Sequence, residues 1–531
     1  MTIRIPFKTI TKLWDKFHLP LVLFLLSAVS VYYFWHYLNN GLGLAYNDAR
    51  SHLDIGRRVV EGLKPGLAQI GSVWLPLPHL LMIPTVWNDT LWHTGFSGAI
   101  VNMISFVFTG LIIYKTLARL GVGKLGRLFG VIVFAANLNI LYLQATAMTE
   151  LLLLATISAG TYYLITWHQE DDILHLIKAA FWIMLATLVR YDGWFLLAFA
   201  GALIIVHVLR RRGYQQTEGT FFLFGTLSGL GVVLWLLWNL LIFKDPLYFA
   251  LGPFSAHAQQ LQLESAGVLA TKHNLYESLR VYFYALVFNS GGFNVIIGLL
   301  GMIAIFADRS LKVATKIAST VLISPFLFNI LALYLGHSVL FVQGLAGDTW
   351  FNARYGIMLM PSIAIFAGFL LDRSKSYKLP ILGLFLMVTF FSFRSGDAVT
   401  IDDATVGSSQ KNVTEVSKWL AENTANKPGF ILISVASHDA IIFSSGLPMA
   451  KFIHEGTGAY WESATIAPDR WARWIVMRTY DDNDLAFRYV KDAPGYVKYR
   501  KVNTYPFADI YELKEEYLSD LNTTPAYANQ K

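Results

Sequence analysis

The stretch YNDARSHLD, residues 46–54, lies between the first two long apolar runs of the chain, which are centred near Ser27 and Phe108. A helix needs about 20 predominantly apolar residues to cross the hydrocarbon core of a bilayer, and both runs are long enough. The polar stretch therefore begins where the first predicted span leaves the membrane. Asp48 in this stretch brings an ionisable carboxylate to the boundary between lipid and water.

The composition of the whole chain is that of a membrane protein. Of its 531 residues, 55% are hydrophobic and only 15% are charged, and the mean hydropathy is +0.47. Soluble proteins are about 45–50% apolar even with glycine included. The absence of cysteine excludes disulfides and thiolate nucleophiles. The formal charge of +7 is explained first by lysines and arginines that flank spans, so we expect membrane lipids and no nucleic acid as partners.

We predict about eleven membrane spans in a mainly α-helical bundle. Their approximate centres are Ser27, Phe108, Phe134, Ile157, Leu185, Ile204, Leu234, Leu299, Phe326, Ile363 and Phe385. Basic residues fall in alternate connections, as the positive-inside rule requires of cytoplasmic loops. These include Lys8, Lys124, Lys178, Arg211, Lys312 and Lys375. The pattern predicts a multi-pass protein of the cell membrane with a cytoplasmic N-terminus.

The sequence predicts three regions. Residues 1–395 form the membrane domain, with a long first extracytoplasmic loop at about 40–95. Residues 396–517 alternate short apolar strands with amphipathic helices, which is typical of an α/β domain, and the odd number of spans puts this domain on the extracytoplasmic side. We predict strands at Phe430–Val435, Ala450–His454 and Arg473–Met477, a hairpin from Tyr496–Val502 and Ile510–Leu513, and a disordered tail at 518–531.

Asp48 is the leading candidate for a catalytic base. A carboxylate just outside the membrane is placed to take a proton from a water-borne hydroxyl while that oxygen attacks an activated carbon. A structural role fits the same position equally well, because Asn47 or Asp48 could cap an amphipathic helix that runs to Glu61. The loop sequence does not distinguish these roles.

Further polar residues of the first loop are candidates for substrate contact. His52 follows Asp48 by one helical turn and would share its face. Trp74 and His79 lie on a predicted second helix along the membrane surface, where tryptophan is usually an interfacial anchor and less often a sugar-stacking group. Asp54 is spaced four residues from both Arg50 and Arg58, so we expect an exposed ion-pair ladder there rather than catalysis.

Three later motifs place ionisable groups at outer span ends: Met148-Thr149-Glu150, Arg190-Tyr191-Asp192 and Arg354-Tyr355. A guanidinium suits phosphate oxygens, so Arg354 is a candidate for a lipid phosphate, with ordinary snorkelling to headgroups as the alternative. The Arg190–Asp192 pair could equally tie a tight turn. Lys244 is an additional cation in an outer loop. No HExxH pattern occurs, and we predict no metal site.

Together these motifs resemble GT-C glycosyltransferases, and are similar to protein O-mannosyltransferases and lipid A aminoarabinose transferases. The resemblance covers about residues 10–395. It implies a polyprenyl-phosphate sugar donor, an acceptor glycan, lipid or protein, inversion at the anomeric carbon, Asp48 as base and no cofactor. The implied contacts are substrate binding by His52, Trp74, His79, Glu150, Arg190, Tyr191 and Asp192, and donor-phosphate binding by Lys244, Arg354 and Tyr355.

Two other classes of protein fit the same observations. A transporter or flippase of lipid-linked saccharides would use the same outer groups to bind its substrate without making a bond. A membrane sensor would use the C-terminal domain to bind an extracellular ligand. Ion-coupled transporters usually carry charges deep inside their helices, whereas the ionisable residues here gather at one interface, which favours the enzyme.

Overall fold

The computed structural model of the chain describes residues 7–252, 255–265, 267–406 and 410–522. The chain forms two compact units, which we call the membrane unit (Met1–Gly43 with Ala99–Asp403) and the appended unit (Leu44–Gly98 with Ala404–Lys531). This division corrects the predicted one, which assigned the first loop to the membrane domain. The loop folds with the C-terminal segment instead, because Asp54 and other side chains of its first helix are buried against that segment.

The membrane unit is built of helices and one short hairpin. Its α-helices, including those that continue across a unit boundary, are Phe7–Asn39, Phe96–Arg119, Lys124–Ala135, Leu138–Leu143, Glu150–Glu170, Ile173–Thr187, Asp192–Arg212, Tyr214–Phe243, Tyr248–Leu251, Ala256–Ser265, Leu275–Ser290, Gly292–Ala307, Val313–Ser319, Ser324–Tyr334, Met360–Arg373, Lys378–Ser395 and Val399–Val406. Short 3-10 helices are Thr320–Ile323, Ala353–Leu359 and Lys375–Tyr377. The hairpin pairs β1 (Phe341–Val342) with β2 (Ala346–Phe351).

Within the described residues, eight helices are long and apolar enough to cross a membrane, or nine if one bent pair is a single span. Eight of the eleven predicted centres lie in these long helices. The other three, Phe134, Leu185 and Leu299, lie in helices of 12, 15 and 16 residues. The bent pair turns by 108° between Leu275–Ser290 and Gly292–Ala307. Gly291 between them has a φ of +82°, which favours glycine.

The appended unit combines helices of the first loop with a five-stranded mixed sheet. Its strands are β3 (Phe430–Ile433), β4 (Phe452–Ile453), β5 (Ala472–Met477), β6 (Tyr499–Thr504) and β7 (Asp509–Leu513), in the order β4-β3-β5-β7-β6. β3 is parallel to β4 and β5, whereas β7 is antiparallel to β5 and β6. These strands confirm the predicted ones. Apolar residues such as Ile431 and Ile475 are fully buried in the sheet, which explains the apolar runs in the sequence.

The helices of the appended unit come from both parts of the chain. The α-helices are Asn47–Val60, Leu77–Val86, Asp89–His93, Gln410–Thr424, Val435–Ser445, Ala459–Ile466, Pro468–Trp471 and Leu485–Val490. The 3-10 helices are Leu67–Ile70, Met449–Lys451, Glu455–Thr457, Pro494–Lys498 and Glu515–Asp520. The last of these corrects the predicted tail. Leu518 and Leu521 pack against the sheet core, so 518–522 is part of the folded unit, while 523–531 lie outside the described residues.

Candidate active site

Glu150 joins two arginines of the predicted motifs in the membrane unit. Its side chain is completely buried, and Oε1 accepts hydrogen bonds from Arg190 Nη1 at 3.2 Å and from Arg354 Nε at 3.1 Å. The fold thereby brings to one carboxylate two arginines that follow Glu150 by 40 and 204 residues in the sequence. We call Glu150, Arg190, Asp192, Arg354 and Asp403 the arginine–carboxylate cluster.

Local structure fixes the orientation of Glu150 and Arg190. Glu150 is the first residue of its helix, where the aligned peptide dipoles stabilise a negative charge. Arg190 lies in the tight turn before helix Asp192–Arg212 and also donates to Thr149 Oγ1 at 3.3 Å. The turn requires Gly193, since a Cβ there would lie 2.3 Å from the Ala186 carbonyl oxygen. Arg190 thus ties the turn and reaches Glu150 as well.

Arg354 is positioned by a 3-10 segment that follows strand β2. Asn289 Nδ2 donates to the carbonyl of Ala353 at 2.7 Å, which fixes the residue before Arg354. Two residues after Arg354, a Cβ on Gly356 would lie 2.2 Å from the carbonyl oxygen of Ala285. The segment is therefore pressed against helix Leu275–Ser290, and Arg354 has little freedom to move away from Glu150.

The cluster carries more carboxylates than guanidiniums. Asp192 Oδ2 lies 3.4 Å from Arg190 Nε, and Asp403 Oδ2 lies 3.7 Å from Arg354 Nη1. The ring of Tyr355 stacks beneath both cations, with its centroid 4.7 Å from Arg190 Cζ and 5.4 Å from Arg354 Cζ. With all groups ionised, one negative charge is in excess. An anion that binds these arginines must therefore compete with a carboxylate for them.

Three asparagines that support the cluster were not predicted from the sequence. Asn137 and Asn139 donate to the carbonyl of Asn289 at 2.8 and 3.0 Å, and Asn139 Oδ1 accepts from the Thr400 amide at 3.0 Å. These bonds connect the segments that carry Arg354 and Asp403. Amides buried among apolar residues are costly unless they are hydrogen-bonded. An asparagine next to an apolar run was the available signal.

Two other predicted residues of the membrane unit lie in different surroundings. The Tyr191 ring stacks on Phe249, with the centroids 5.7 Å apart, and meets Trp194 edge to face at 5.4 Å. Lys244 follows helix Tyr214–Phe243 in a left-handed conformation, with φ +64°, and donates to the Leu241 carbonyl at 3.1 Å. Its side chain is exposed.

Asp48 lies in the first turn of helix Asn47–Val60, which we call the loop helix. The N-cap position belongs to Tyr46, whose side chain makes no capping hydrogen bond. The cap predicted for Asn47 or Asp48 is therefore one or two residues too late. Asp48 is half-buried.

His52 and His79 form a buried pair in the appended unit. His52 Nδ1 lies 2.9 Å from His79 Nε2, and the Trp74 ring stacks on His52 at 4.3 Å. Burial holds the pKa of His79 well below its usual range, and the neighbouring His52 and Arg58 lower it further. A neutral imidazole can accept the hydrogen bond that the other donates. The pair fixes the loop helix to helix Leu77–Val86.

The exposed ion-pair ladder expected at Asp54 is wrong. Asp54 is completely buried, and its Oδ2 accepts a hydrogen bond from the backbone amide of Phe443 at 3.1 Å. The spacing Arg50–Asp54–Arg58 does define one helix face, as predicted, but that face packs against another helix of the appended unit. A single sequence shows the spacing of such residues and not what covers them.

The predicted site residues are divided between the two units. Asp48, His52, Trp74 and His79 belong to the appended unit, and the remaining ones belong to the membrane unit. In the part of the chain that the structure describes, no group of three or more histidine, aspartate or glutamate side chains is arranged to hold a metal ion.

The chain matches no family model and no curated protein, but its fold matches solved structures. ArnT from Cupriavidus metallidurans, bound to undecaprenyl phosphate, has a TM-score of 0.56 at 12% identity, covering 92% of this chain and 98% of that one. The same protein in the apo state gives 0.51 at 11% identity, covering 88% and 94%. The oligosaccharyltransferase of Archaeoglobus fulgidus in the apo form gives 0.50 at 12% identity, covering 94% and 75%.

These proteins define the class of fold. ArnT, a lipid A aminoarabinose transferase, and the oligosaccharyltransferase are both GT-C glycosyltransferases. The chain is a multi-pass membrane protein with the GT-C fold, and the resemblance inferred from its motifs is confirmed at the level of the fold.

Proposed function

We propose that the protein is a membrane glycosyltransferase that moves a sugar from a polyprenyl phosphate to a hydroxyl of a glycan, lipid or protein on the extracytoplasmic side. The observation that carries this proposal is the arginine–carboxylate cluster, which places Arg190 and Arg354 together at the ends of membrane spans in a GT-C fold. The undecaprenyl phosphate in one ArnT structure supports a lipid phosphate as the anion.

The proposed reaction is a single displacement. The acceptor oxygen bonds to the anomeric carbon as the bond between that carbon and the phosphate oxygen breaks, and the electron pair of that bond stays with the lipid phosphate. Asp48 takes the proton of the acceptor hydroxyl. Because one nucleophile attacks opposite the leaving group, the configuration at the anomeric carbon is inverted.

The cluster supplies the stabilisation that the departing phosphate needs. Negative charge grows on the phosphate during the reaction, and guanidiniums that are already oriented stabilise it without reorganising. Arg354 and Arg190 are held by Glu150 and by the Tyr355 face, so we assign them to the phosphate. We assign Lys244, which is exposed at the end of a helix, to binding the donor phosphate as the donor approaches the site.

The remaining predicted residues form two groups: those assigned to contact with the substrate and those that hold other parts of the site in place. We assign Trp74, which is half-buried, and Tyr191 to contact with the sugar or the acceptor, because aromatic faces and hydroxyls suit carbohydrates. Glu150 and Asp192 orient the arginines. His52 and His79 are bonded to each other and buried, which suits them to holding the loop helix. We further propose a cytoplasmic N-terminus and an extracytoplasmic appended unit, from the distribution of basic residues.

The proposal is tested by incubating the purified protein with a panel of polyprenyl-phosphate sugars and candidate acceptors, followed by mass spectrometry. A transferase gives free polyprenyl phosphate and a glycosylated acceptor. Arg354→Ala should raise the KM for the donor, whereas Arg212→Ala, which removes an exposed ion pair with Asp171, should not. Movement of a lipid-linked sugar across liposomes with its phosphate bond intact would instead identify a flippase.

A further inference from the structure

The loop helix is attached to the rest of the appended unit by a row of polar side chains. Arg50, Asp54 and Arg58 are each four residues apart, so they lie on one face of the helix. Glu61 is the C-cap residue that follows the end of the helix. These four residues meet residues of helix Val435–Ser445, which we call the partner helix, and of the segment that follows it. In order, the contacts are Arg50 Nη1 to Ser444 Oγ at 3.1 Å, Asp54 Oδ2 to the Phe443 amide at 3.1 Å, Arg58 Nη2 to Asp439 Oδ2 at 3.3 Å and Glu61 Oε1 to the Met449 amide at 2.9 Å.

Two carboxyl groups meet within this row. Asp54 adjoins Asp439, and the Oδ1 atoms of both are buried without a hydrogen-bond partner among the described residues. A proton shared between the two carboxyl groups gives each of them a partner. Without that proton, two buried carboxylates would face the single guanidinium of Arg58. Such an arrangement is strongly unfavourable away from water.

The surroundings favour the shared proton. Burial raises the pKa of Asp54 well above its ordinary value, and Asp439 raises it further, although Arg58 acts in the opposite direction. The histidines nearby, His79 on helix Leu77–Val86 and His454 after strand β4, both have their pKa held well below the usual range by burial and by Arg58. They are therefore neutral and supply no second cation. His52 is bonded to His79.

The partner helix is itself fixed at its start. Glu455 accepts hydrogen bonds from the Ser434 hydroxyl and, at 2.9 Å, from the Val435 amide at the N-terminus of the helix. The helix that receives the row is thus anchored to the segment after strand β4. A displacement of the loop helix relative to the partner helix would break the row and shift Asp48, which lies between one and two turns before Asp54.

We propose that Asp54, Asp439 and Arg58 are positioning residues of the transfer reaction, which hold the loop helix and its Asp48 in place through a carboxyl pair that shares one proton. The proposal rests on the function given above, with Asp48 as the base. The C-terminal segment then contributes to catalysis without touching the substrate.

The shared proton makes this attachment sensitive to a rise in pH. In the unfolded chain an aspartate titrates near its ordinary pKa of about 3.9. The folded protein keeps a proton to a higher pH, so between the two pKa values it binds more protons than the unfolded chain. The stabilisation from the pair is therefore complete below the ordinary value and is lost as pH rises through the raised one. Loss of the proton should displace the loop helix and lower kcat.

The test compares kcat, donor KM and pH profiles of full-length variants in detergent. Asp54→Asn replaces the protonated carboxyl by an amide that can still accept from Phe443 and donate to Asp439. It should keep most of the activity and lose the decline that the wild type shows as pH rises through the raised pKa of the pair. Asp54→Ala and Asp439→Ala, which leave the other carboxyl group without its partner, should lower kcat by about 10- to 100-fold, with donor KM unchanged because the proposed phosphate residues belong to the membrane unit.

Two variants separate this inference from the proposed function. Asp89 is an exposed carboxylate that pairs with Arg57 of the loop helix outside the row. Asp89→Asn removes its charge but keeps an oxygen that can accept from Arg57, so this variant should behave as the wild type. If Asp48→Asn transfers sugar normally, the assignment of the base is wrong. If Asp48→Asn is inactive while Asp54→Ala and Asp439→Ala keep wild-type kcat, the positioning role is refuted and the assignment of the base stands. If activity of Asp54→Asn declines with rising pH as that of the wild type does, the shared proton is refuted, even where the alanine variants do not fold.

Discussion

Glu150 is a fully buried carboxylate that accepts hydrogen bonds from two guanidiniums. Removing its charge leaves Arg190 and Arg354 facing each other without their common partner. A buried ion pair that loses one member typically costs about 3–5 kcal/mol. We therefore predict that Glu150→Ala lowers the free energy of unfolding in detergent by about that amount, as measured by denaturant titration.

The other end of the same helix offers a matched control. Glu170 pairs with Arg119 near the surface, where ion pairs contribute about 0–1 kcal/mol. Glu170→Ala should therefore change the unfolding free energy by no more than that. Equal losses in both variants would show that the Glu150 contacts are not stronger than exposed ones.

Asp403 is the third carboxylate of the cluster, and its Oδ2 lies 3.7 Å from Arg354 Nη1. With all groups ionised the cluster has one excess negative charge, so a lipid phosphate must compete with a carboxylate for Arg354. We predict that Asp403→Asn lowers the KM for the donor, since the amide keeps the shape of the side chain without its charge. Donor titrations at fixed acceptor concentration measure this. A donor KM that is unchanged or raised would show that Asp403 does not compete with the phosphate.

At the scale of single residues, the sequence predicted which side chains belong to the site but not which groups they contact. Arg190 and Arg354 were expected near a phosphate from their chemistry and their position at span ends. Their shared contact with Glu150 depends on how helices pack, which no local spacing encodes. Asn289 was missed because a single amide beside an apolar run has many possible partners.

The 3-10 segment Ala353–Leu359 shows how an element positions a side chain. A Cβ on Gly356 would lie 2.2 Å from the Ala285 carbonyl oxygen. We predict that Gly356→Ala pushes the segment from helix Leu275–Ser290, lowers the unfolding free energy by about 1–3 kcal/mol and reduces transfer by moving Arg354. Thermal unfolding and transfer assays measure the two effects.

Gly225 is a suitable control for that substitution. It lies inside helix Tyr214–Phe243, and a Cβ there would meet no atom within 4 Å. Gly225→Ala should leave stability equal or slightly higher, because alanine is the better helix former. If Gly356→Ala is as well tolerated as Gly225→Ala, the close approach does not hold Arg354.

The elements differ in how far the sequence predicts them. The strands of the appended sheet were found because buried apolar runs of that length, separated by turn residues, are distinctive. The sequence predicts a full span centred near Phe134, because the apolar residues of helix Lys124–Ala135 continue past the break at Asn137 into the next short helix. Apolarity alone does not show where a helix breaks.

At the scale of the whole molecule, the appended unit changes how the alternatives are tested. Deleting the residues after about 400 would remove a sensor domain, but it would also remove the partner helix that holds the loop helix. Loss of function after deletion therefore fits an enzyme and a sensor alike. Point substitutions that keep the fold are needed to distinguish them.

The most direct measurement is a comparison of wild type and Asp48→Asn in a single assay of transfer from a polyprenyl-phosphate sugar, with the product identified by mass spectrometry. The wild type should give free polyprenyl phosphate and an acceptor with the opposite anomeric configuration. Asp48→Asn should unfold at the wild-type temperature and give no product. Normal transfer by Asp48→Asn, or a wild type that leaves the sugar–phosphate bond intact, would contradict the proposed mechanism.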